Sequence, residues 1–407
     1  VQDRAWQQQQ ALADQLKAGG LLNDPAIEAA FRAVPRHLFL PGFALEQVYS
    51  DDAIGTKFLE DGRPISSSSQ PAIMAIMLDQ LGLAPGQKVL EIGAGTGYNA
   101  ALLAHIVGDK GSVFSADIDE DIVTAARHHL QNAGYERVQL VQADGFQGLP
   151  EYAPYDRIIL TVGASDIAPA WWQQLKPDSR LVVPLELAGH SSMVSVAFEW
   201  SGDHLTSLSL RACGFMMLRG EGASGEYGEP IEGRTDLRLG PSEPGNIDAK
   251  RIAAELQKPV RDLASGVRAV PWQLERDIRF WLARSGLQCF ALSRQRSGSP
   301  GGTLHAEAIE SYLGVMREGA LCVLVLDRPS SDPNVPGQVW VYRYGDAVSL
   351  ANSALEGLRS WAAAGCPSAE LMRVRAYPRG APNEPGDAEI VVERKSVRLL
   401  LNWPDTI

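Results

Sequence analysis

The stretch VLEIGAGTGYNAALL, residues 89–103, contains the first side chains and turns that could do chemistry. A short apolar run ends at Glu91 and Ile92, and Gly93, Gly95 and Gly97 follow before a helical pattern begins. Glycine permits positive φ and lets the backbone approach a ligand closely. In dinucleotide enzymes such a turn, backed by a helix N-terminus, holds a pyrophosphate. Here the order is E-x-G-x-G-x-G, and Glu91 would repel a pyrophosphate. A carboxylate there suits a cation, and the sulfonium and amino group of S-adenosylmethionine fit. Asp117 closes the next strand pattern, SVFSAD, where an acid can bind both ribose hydroxyls. Asp144 and Gly145 close the third, in VQLVQADG, where an acid can accept from the adenine amino group. Three acids at the C-terminal ends of three successive strands share one crevice. Asp119 and Asp121 start the following helix, where acids complement the macrodipole, and read as structural.

These residues need a sheet to position them. KVLEIG, SVFSAD, VQLVQAD and YDRIILTV read as strands, and TGYNAALLAHIV and DEDIVTAARHHLQNAG as the helices between them. The alternation predicts βαβ units and a parallel sheet covered on both faces. AWWQQL reads as a helix, RLVVPLEL as a strand, and MVSVAFEW and HLTSLSLR as antiparallel additions. Ahead of the sheet, helices are expected over about 3–18 and 25–34, then VPRHLFLPGF, then a loop through DDAIGTKFLEDGRPISSSS, then a helix after Pro71. The expected division is an N-terminal helical lid over 1–80, a cofactor-binding core over 81–220, a Gly/Pro/Ser/Glu-rich linker or loop over 221–247, and a C-terminal α+β domain over 248–407. In that last domain helices are expected near 248–257, 271–284, 304–317 and 346–365, and strands near 286–292, 320–327, 337–343, 370–376, 387–393 and 396–402.

A length of 407 residues suits two domains, and 45% hydrophobic with 21% charged residues is ordinary for a globular chain. The net charge of -12 argues against a nucleic-acid partner, which calls for a basic face. Cys213, Cys289, Cys322 and Cys366 form no CxxC pair, so neither a metal site nor a disulfide scaffold is expected. No apolar run is long enough for a membrane span, and the polar start lacks a signal-peptide core, so a cytoplasmic location is expected.

Residues from about 25 to 190 resemble protein-L-isoaspartate O-methyltransferases. The resemblance is carried by AFRAVPRHLFLPG, SSQPAIMAIMLDQLGLAPGQKVLEIGAGTGYNAALLA, ADGFQGLPEYAPYDRIILTVGA and QLKPDSRLVVPL. The Ser-Gln-Pro before the helix is its specific part, since the glycine turn alone fits many methyltransferases. The resemblance implies a Rossmann-like class I methyltransferase sheet using S-adenosylmethionine. It puts the serine beside methyl donor and substrate carboxylate on Ser69, with Ser67, Ser68 and Gln70 as further substrate contacts. It puts the cofactor contacts on Glu91, Gly93, Gly95, Gly97, Asp117, Asp144 and Gly145. The run Ser66 to Ser69, Ala72 after the proline and the long C-terminal extension depart from the common pattern. ISSSSQP, the TKFLEDGRP loop and the C-terminal extension together resemble FxLD-system methyltransferases, which accompany ribosomally made peptides such as lanthipeptides and graspetides. That implies methylation of an aspartate in a modified, ring-bearing precursor peptide, leading to aspartimide, with the C-terminal domain recognising the rings. The competing expectations are a repair enzyme for isoaspartyl proteins and an inactive peptide-binding adaptor.

A side-chain carboxylate has a reference pKa near ~3.9, so it is already a nucleophile at neutral pH and needs no general base. What it needs is alignment with the methyl group and hydrogen-bond donors. His37, Trp171 and Trp172 read as packing residues, and His128 and His129 as a solvated helix face. Thr161, Tyr49 and Asp51 are expected near the crevice or its channel.

Overall fold

The structure is a computed structural model that describes residues 2–60, 62–187, 193–223, 229–231, 234–239, 249–295, 309–327, 332, 334–381 and 389–404. It divides into two units, residues 1–185 with 194–224, and residues 186–193 with 225–407.

In the first unit the elements are α1 (Gln2–Ala18), α2 (Pro25–Ala33), α3 (Leu45–Val48), β1 (Ile54–Phe58), β2 (Pro64–Ser68), α4 (Pro71–Leu81), β3 (Lys88–Ile92), α5 (Tyr98–Val107), β4 (Ser112–Asp117), α6 (Glu120–Asn132), β5 (Gln139–Gln142), β6 (Tyr155–Leu160), α7 (Pro169–Gln173), β7 (Leu175–Glu186), β8 (Met193–Trp200) and β9 (Leu205–Ala212). The strands lie side by side in the order β9-β8-β7-β6-β3-β4-β5. β3 runs parallel to β4 and β6, β4 to β5 and β6 to β7, while β8 and β9 are antiparallel. Strand order reverses between β3 and its neighbours β4 and β6, the switch point at which ligands bind in open α/β sheets.

The local sequence accounts for these elements. Asp24 caps α2, accepting from the N–H groups of Ala26 and Ile27, and Pro25 sits at its first turn. α6 turns Ile122, Val123, Ala126 and Leu130 inward at helical spacing. Leu102, Leu103, Val89 and Leu78 are fully buried in the same core cluster. Burying a side chain of that size stabilises the fold by about 1.5–3 kcal/mol.

The segment through DDAIGTKFLEDGRPISSSS is an antiparallel hairpin rather than a loop, with Ile54 opposite Ser68 and Lys57 opposite Ser66. Period-two alternation explains it: Ser66 and Ser68 point inward and are buried, and Thr56 Oγ1 donates to Ser66 Oγ at 3.2 Å.

The second unit has β10 (Glu229–Ile231), β11 (Arg234–Leu239), α8 (Ala249–Leu256), β12 (Val260–Ala269), α9 (Arg279–Ala283) after a π-helical turn, β13 (Gln288–Gln295), β14 (Ile309–Arg317), β15 (Ala320–Asp327), β16 (Gly337–Tyr344), α10 (Val348–Ala363), β17 (Arg373–Pro378), β18 (Ile390–Glu393) and β19 (Val397–Asn402). Its seven-stranded sheet runs β10-β11-β13-β14-β15-β16-β12, and β18-β19-β17 lie side by side. Two expectations are corrected. Within the 221–247 linker, Glu229–Ile231 and Arg234–Leu239 form β10 and β11, with β11 paired to β13, and residues 221–222 close a 3-10 turn; 224–228, 232–233 and 240–247 lie outside the described residues. Of the helix expected near 304–317, residues 309–317 are β14, hydrogen-bonded to β13 and β15 on either side, and 304–308 lie outside the described residues. Sheet pairing on both edges overrides the local helical spacing there.

Candidate active site

The first unit has a cleft of about 940 Å³, its open mouth included. Ser66, Ser67, Ser68 and Ser69 line it together with Gly93, Gly95, Asp117 and Gly145, and Met74, Met77, Phe215 and Met217 supply apolar surface.

The glycine turn connects β3 to α5. Gly93 has φ 101° and Gly95 φ 51°, in the left-handed region that L side chains rarely occupy. A Cβ on Gly93 would stand 2.6 Å from Thr161 Oγ1, and one on Gly95 3.1 Å from Ser67 O. Thr161, at the end of β6, lines the cleft and donates to Ile92 O and Gly93 O, which braces the turn. Gly97 forms the N-cap of α5. Asp117 Oδ2 accepts from Gly95 N at 3.1 Å, and its other oxygen accepts from Asp119 N at 3.3 Å. Burial pushes the Asp117 carboxyl above its ordinary range, and those two N–H groups and Arg219 pull the other way.

The serine wall is held from beneath by Arg36, whose side chain is fully buried. Its Nη2 donates to Ser69 O at 3.0 Å and Ser68 Oγ at 3.4 Å, and its Nη1 to Val48 O at 2.8 Å. Burial lowers the Arg36 pKa. Asp51 fastens the same turn from the side. Its Oδ1 accepts from Ala72 N at 2.8 Å, satisfying an otherwise orphaned donor at the start of α4.

This pairing of turn and wall has a match among known proteins. The family described as protein-L-isoaspartate(D-aspartate) O-methyltransferase matches residues 7–220, more than half of the chain. The chain belongs to this family. Isoaspartate methyltransferases are S-adenosylmethionine-dependent carboxyl methyltransferases, and the turn fits that cofactor: glycine backbone exposed to the cleft, and a half-buried carboxylate at the next strand end. The chain is 41% identical over 162 residues to a protein-L-isoaspartate O-methyltransferase of Thermotoga maritima, covering 40% of this chain and 50% of that one. It is 39% identical over 170 residues to one of Methanococcoides burtonii, covering 42% of this chain and 80% of that one. The chain therefore spans half the length of the Thermotoga relative and most of the archaeal one. A solved structure described as a protein-L-isoaspartate O-methyltransferase is 25% identical, with a TM-score of 0.50, and covers 90% of this chain and 96% of its own. That likeness extends past residue 220 into the second unit, so a long C-terminal extension occurs within the isoaspartate methyltransferases.

Several side chains stand elsewhere than the sequence suggests. Glu91 is fully buried beneath the glycine turn and does not line the cleft. Its carboxylate accepts from Asn99 Nδ2 at 2.8 Å and from Ser115 Oγ, and burial raises its pKa to about 7. Asp144 also sits off the cleft wall; it accepts from Phe146 N at 3.0 Å and Glu221 N at 2.7 Å, tying down the turn that follows Arg219. Gln70 donates to Asp51 O and Oδ2 at 3.0 and 3.1 Å instead of facing the cleft. His129 is half-buried, not solvated, and its Nδ1 lies 3.0 Å from Thr96 O in the glycine turn. Asp119 is more than a helix-start acid: it pairs with Arg219 at 2.8 Å and with Lys57 at 3.0 Å, tying β1 and the segment after β9, where Arg219 lines the cleft, to the start of α6. Hydrogen bonding to Arg219 holds its carboxyl below the ordinary range; burial pulls the other way, and the Lys57 hydrogen bond adds to the lowering. His37 packs as expected, with Nδ1 2.7 Å from the Tyr49 hydroxyl.

Arg36 and Arg219 carry no signal in the sequence reading. Arg36 lies inside the family-like VPRHLF stretch, beside the more conspicuous His37. Among the described residues no helix is long and apolar enough to cross a membrane.

Proposed function

We propose that this protein methylates the free carboxylate of an L-isoaspartyl residue in a peptide or protein, in the cytoplasm where the methyl donor is made. One observation carries the reading: the glycine turn with Asp117 and the serine turn with Ser69 line one cleft. Gly93, Gly95 and Gly145 give the donor close backbone approach, while Gly97, off the cleft, lets the turn pack closely against Ala126 and Leu130, and Asp117 takes the ribose hydroxyls. When bound, S-adenosylmethionine supplies the methyl group that the substrate carboxylate accepts. Ser69 Oγ donates to that carboxylate and aligns it, with Ser67 and Ser68 beside it. No residue has to remove a proton, since the acid is ionised at neutral pH. The methyl ester then loses methanol to the next backbone nitrogen, forming a succinimide that water opens to aspartate or isoaspartate.

A second reading draws on the serine run, the TKFLEDGRP segment and the separate core of the second unit, where Ile252, Phe290, Leu292 and Leu321 cluster. In it the substrate is an aspartate of a ring-bearing precursor peptide, recognised by the second unit. Mass spectrometry separates the two. The protein is incubated with the donor, an isoaspartyl peptide, its aspartyl twin and candidate precursors. Gain of a methyl group by the isoaspartyl peptide alone supports the first reading. Gain by a cyclised aspartyl precursor alone supports the second. No methylation of any carboxyl peptide would remove both.

A further inference from the structure

The wall that faces the substrate is built on a buried cation. Arg36 is fully buried, yet among the described residues no carboxylate lies within ion-pair distance of its guanidinium. The two nearby acids, Asp51 and Asp52, favour its charge through space but form no ion pair with it: Asp51 turns both oxygens toward Gln70 and Ala72, and Asp52 offers only its backbone carbonyl. All five acceptors of Arg36 are neutral: Val48 O, Ser50 O, Asp52 O, Ser69 O and Ser68 Oγ, at 2.8 to 3.4 Å. Among the described residues its Nε has no partner. The Tyr98 ring, 5.9 Å from the guanidinium carbon, compensates only in part. Burying a charge without a counter-ion is costly, and a neutral donor could satisfy the same carbonyls without that cost. In a low-dielectric interior the field of such a charge reaches further than in water. Two of its contacts, Ser68 and Ser69, belong to the cleft wall.

We infer that Arg36 supplies the positive charge of the carboxylate subsite, as a positioning residue acting through Ser68 and Ser69. The inference rests on the carboxyl-methylation reading above. The guanidinium holds the serine turn by its fork, and its charge favours an anion over a neutral group at Ser69. Asp51 and Asp52 offset the charge only through space, and the substrate carboxylate, arriving across the turn, adds the anion on the cleft side.

The test measures binding of an isoaspartyl peptide and of its neutral carboxamide twin to the full chain by calorimetry, with S-adenosylhomocysteine present. The wild-type protein should prefer the carboxylate by about tenfold or more. Arg36→Gln should bring that ratio near one while S-adenosylhomocysteine affinity stays within about twofold. A structural role alone would weaken both peptides alike. An unchanged ratio in a folded Arg36→Gln protein overturns the inference. If Arg36→Gln does not fold, Arg36→Lys decides: it should keep most of the carboxylate preference but raise KM for methylation, because the charge stays and the fork is lost. Collapse of the ratio in Arg36→Lys, with the cofactor site intact, also overturns the assignment. A wild-type protein that neither binds nor methylates isoaspartyl or aspartyl peptides removes the underlying reading instead.

Discussion

At the scale of single residues, a group that lines the cleft and one buried behind it face different demands. Ser69 has its carbonyl engaged by Arg36, while its hydroxyl accepts and donates nothing among the described residues, which leaves it available to an anion. A hydrogen bond to a charged acceptor contributes about 1.5–3 kcal/mol, so Ser69→Ala should lower kcat/KM for methylation by roughly 10- to 150-fold. Calorimetric affinity for S-adenosylhomocysteine should not move, and a loss there would mean the serine supports the cofactor side. Glu91 poses a question of stability. Its carboxyl titrates at about 7 in the folded protein against an ordinary value of 4.5, because burial disfavours the charge. Between those values the folded state holds a proton that the unfolded state has released. The stability from this group is thus full at acidic pH and falls as pH rises toward 7. Glu91→Gln should therefore raise the melting temperature relative to wild type more at pH 8 than at pH 5. A difference independent of pH would show that Glu91 ionises normally.

At the scale of elements, the cleft mouth is joined by charge rather than by core packing. Lys57 on β1 and Arg219 after β9 converge on Asp119 between β4 and α6. Partly exposed pairs contribute about 0–1 kcal/mol each, so Asp119→Asn should barely alter the melting temperature. It should, however, loosen the segment at Arg219, where limited trypsin digestion should cut faster, while Lys57 keeps its 2.8 Å pair with Asp121 and its cleavage rate. Cleavage after Arg219 at the wild-type rate would mean that the backbone alone holds the mouth. The Asp144 contact to Glu221 N keeps the segment beyond Arg219 in place by a separate route.

At the scale of the whole molecule, every residue lining the cleft belongs to the first unit. A ligand at one hundred times its dissociation constant stabilises the state that binds it by about 2.7 kcal/mol. Hydrogen exchange with S-adenosylhomocysteine should therefore slow in residues 65–69, 92–99, 117–119 and 215–219. Exchange in β12 to β16 should stay as it is. Protection spreading into those strands would make the second unit part of the cofactor response rather than an independent body.

How much of this was legible in the chain depends on the range of the interactions involved. Periodicity and the glycine turn are local. They determined the parallel sheet, its helices and the crevice at Gly93, Gly95, Asp117 and Gly145, because φ preferences and alternation act within a few residues. Family-like stretches placed Ser69 in the same site, since the motif is contiguous. Tertiary structure alone decided which acids face the cleft. Glu91 and Asp144 occupy the expected strand ends, but their carboxylates turn to Asn99, Ser115, Phe146 and Glu221, partners up to dozens of residues away. It also decided that Arg36 lies under Ser69, a contact made across 33 positions. A buried polar group must take whatever partner the packed chain presents, and no local pattern encodes which one that is.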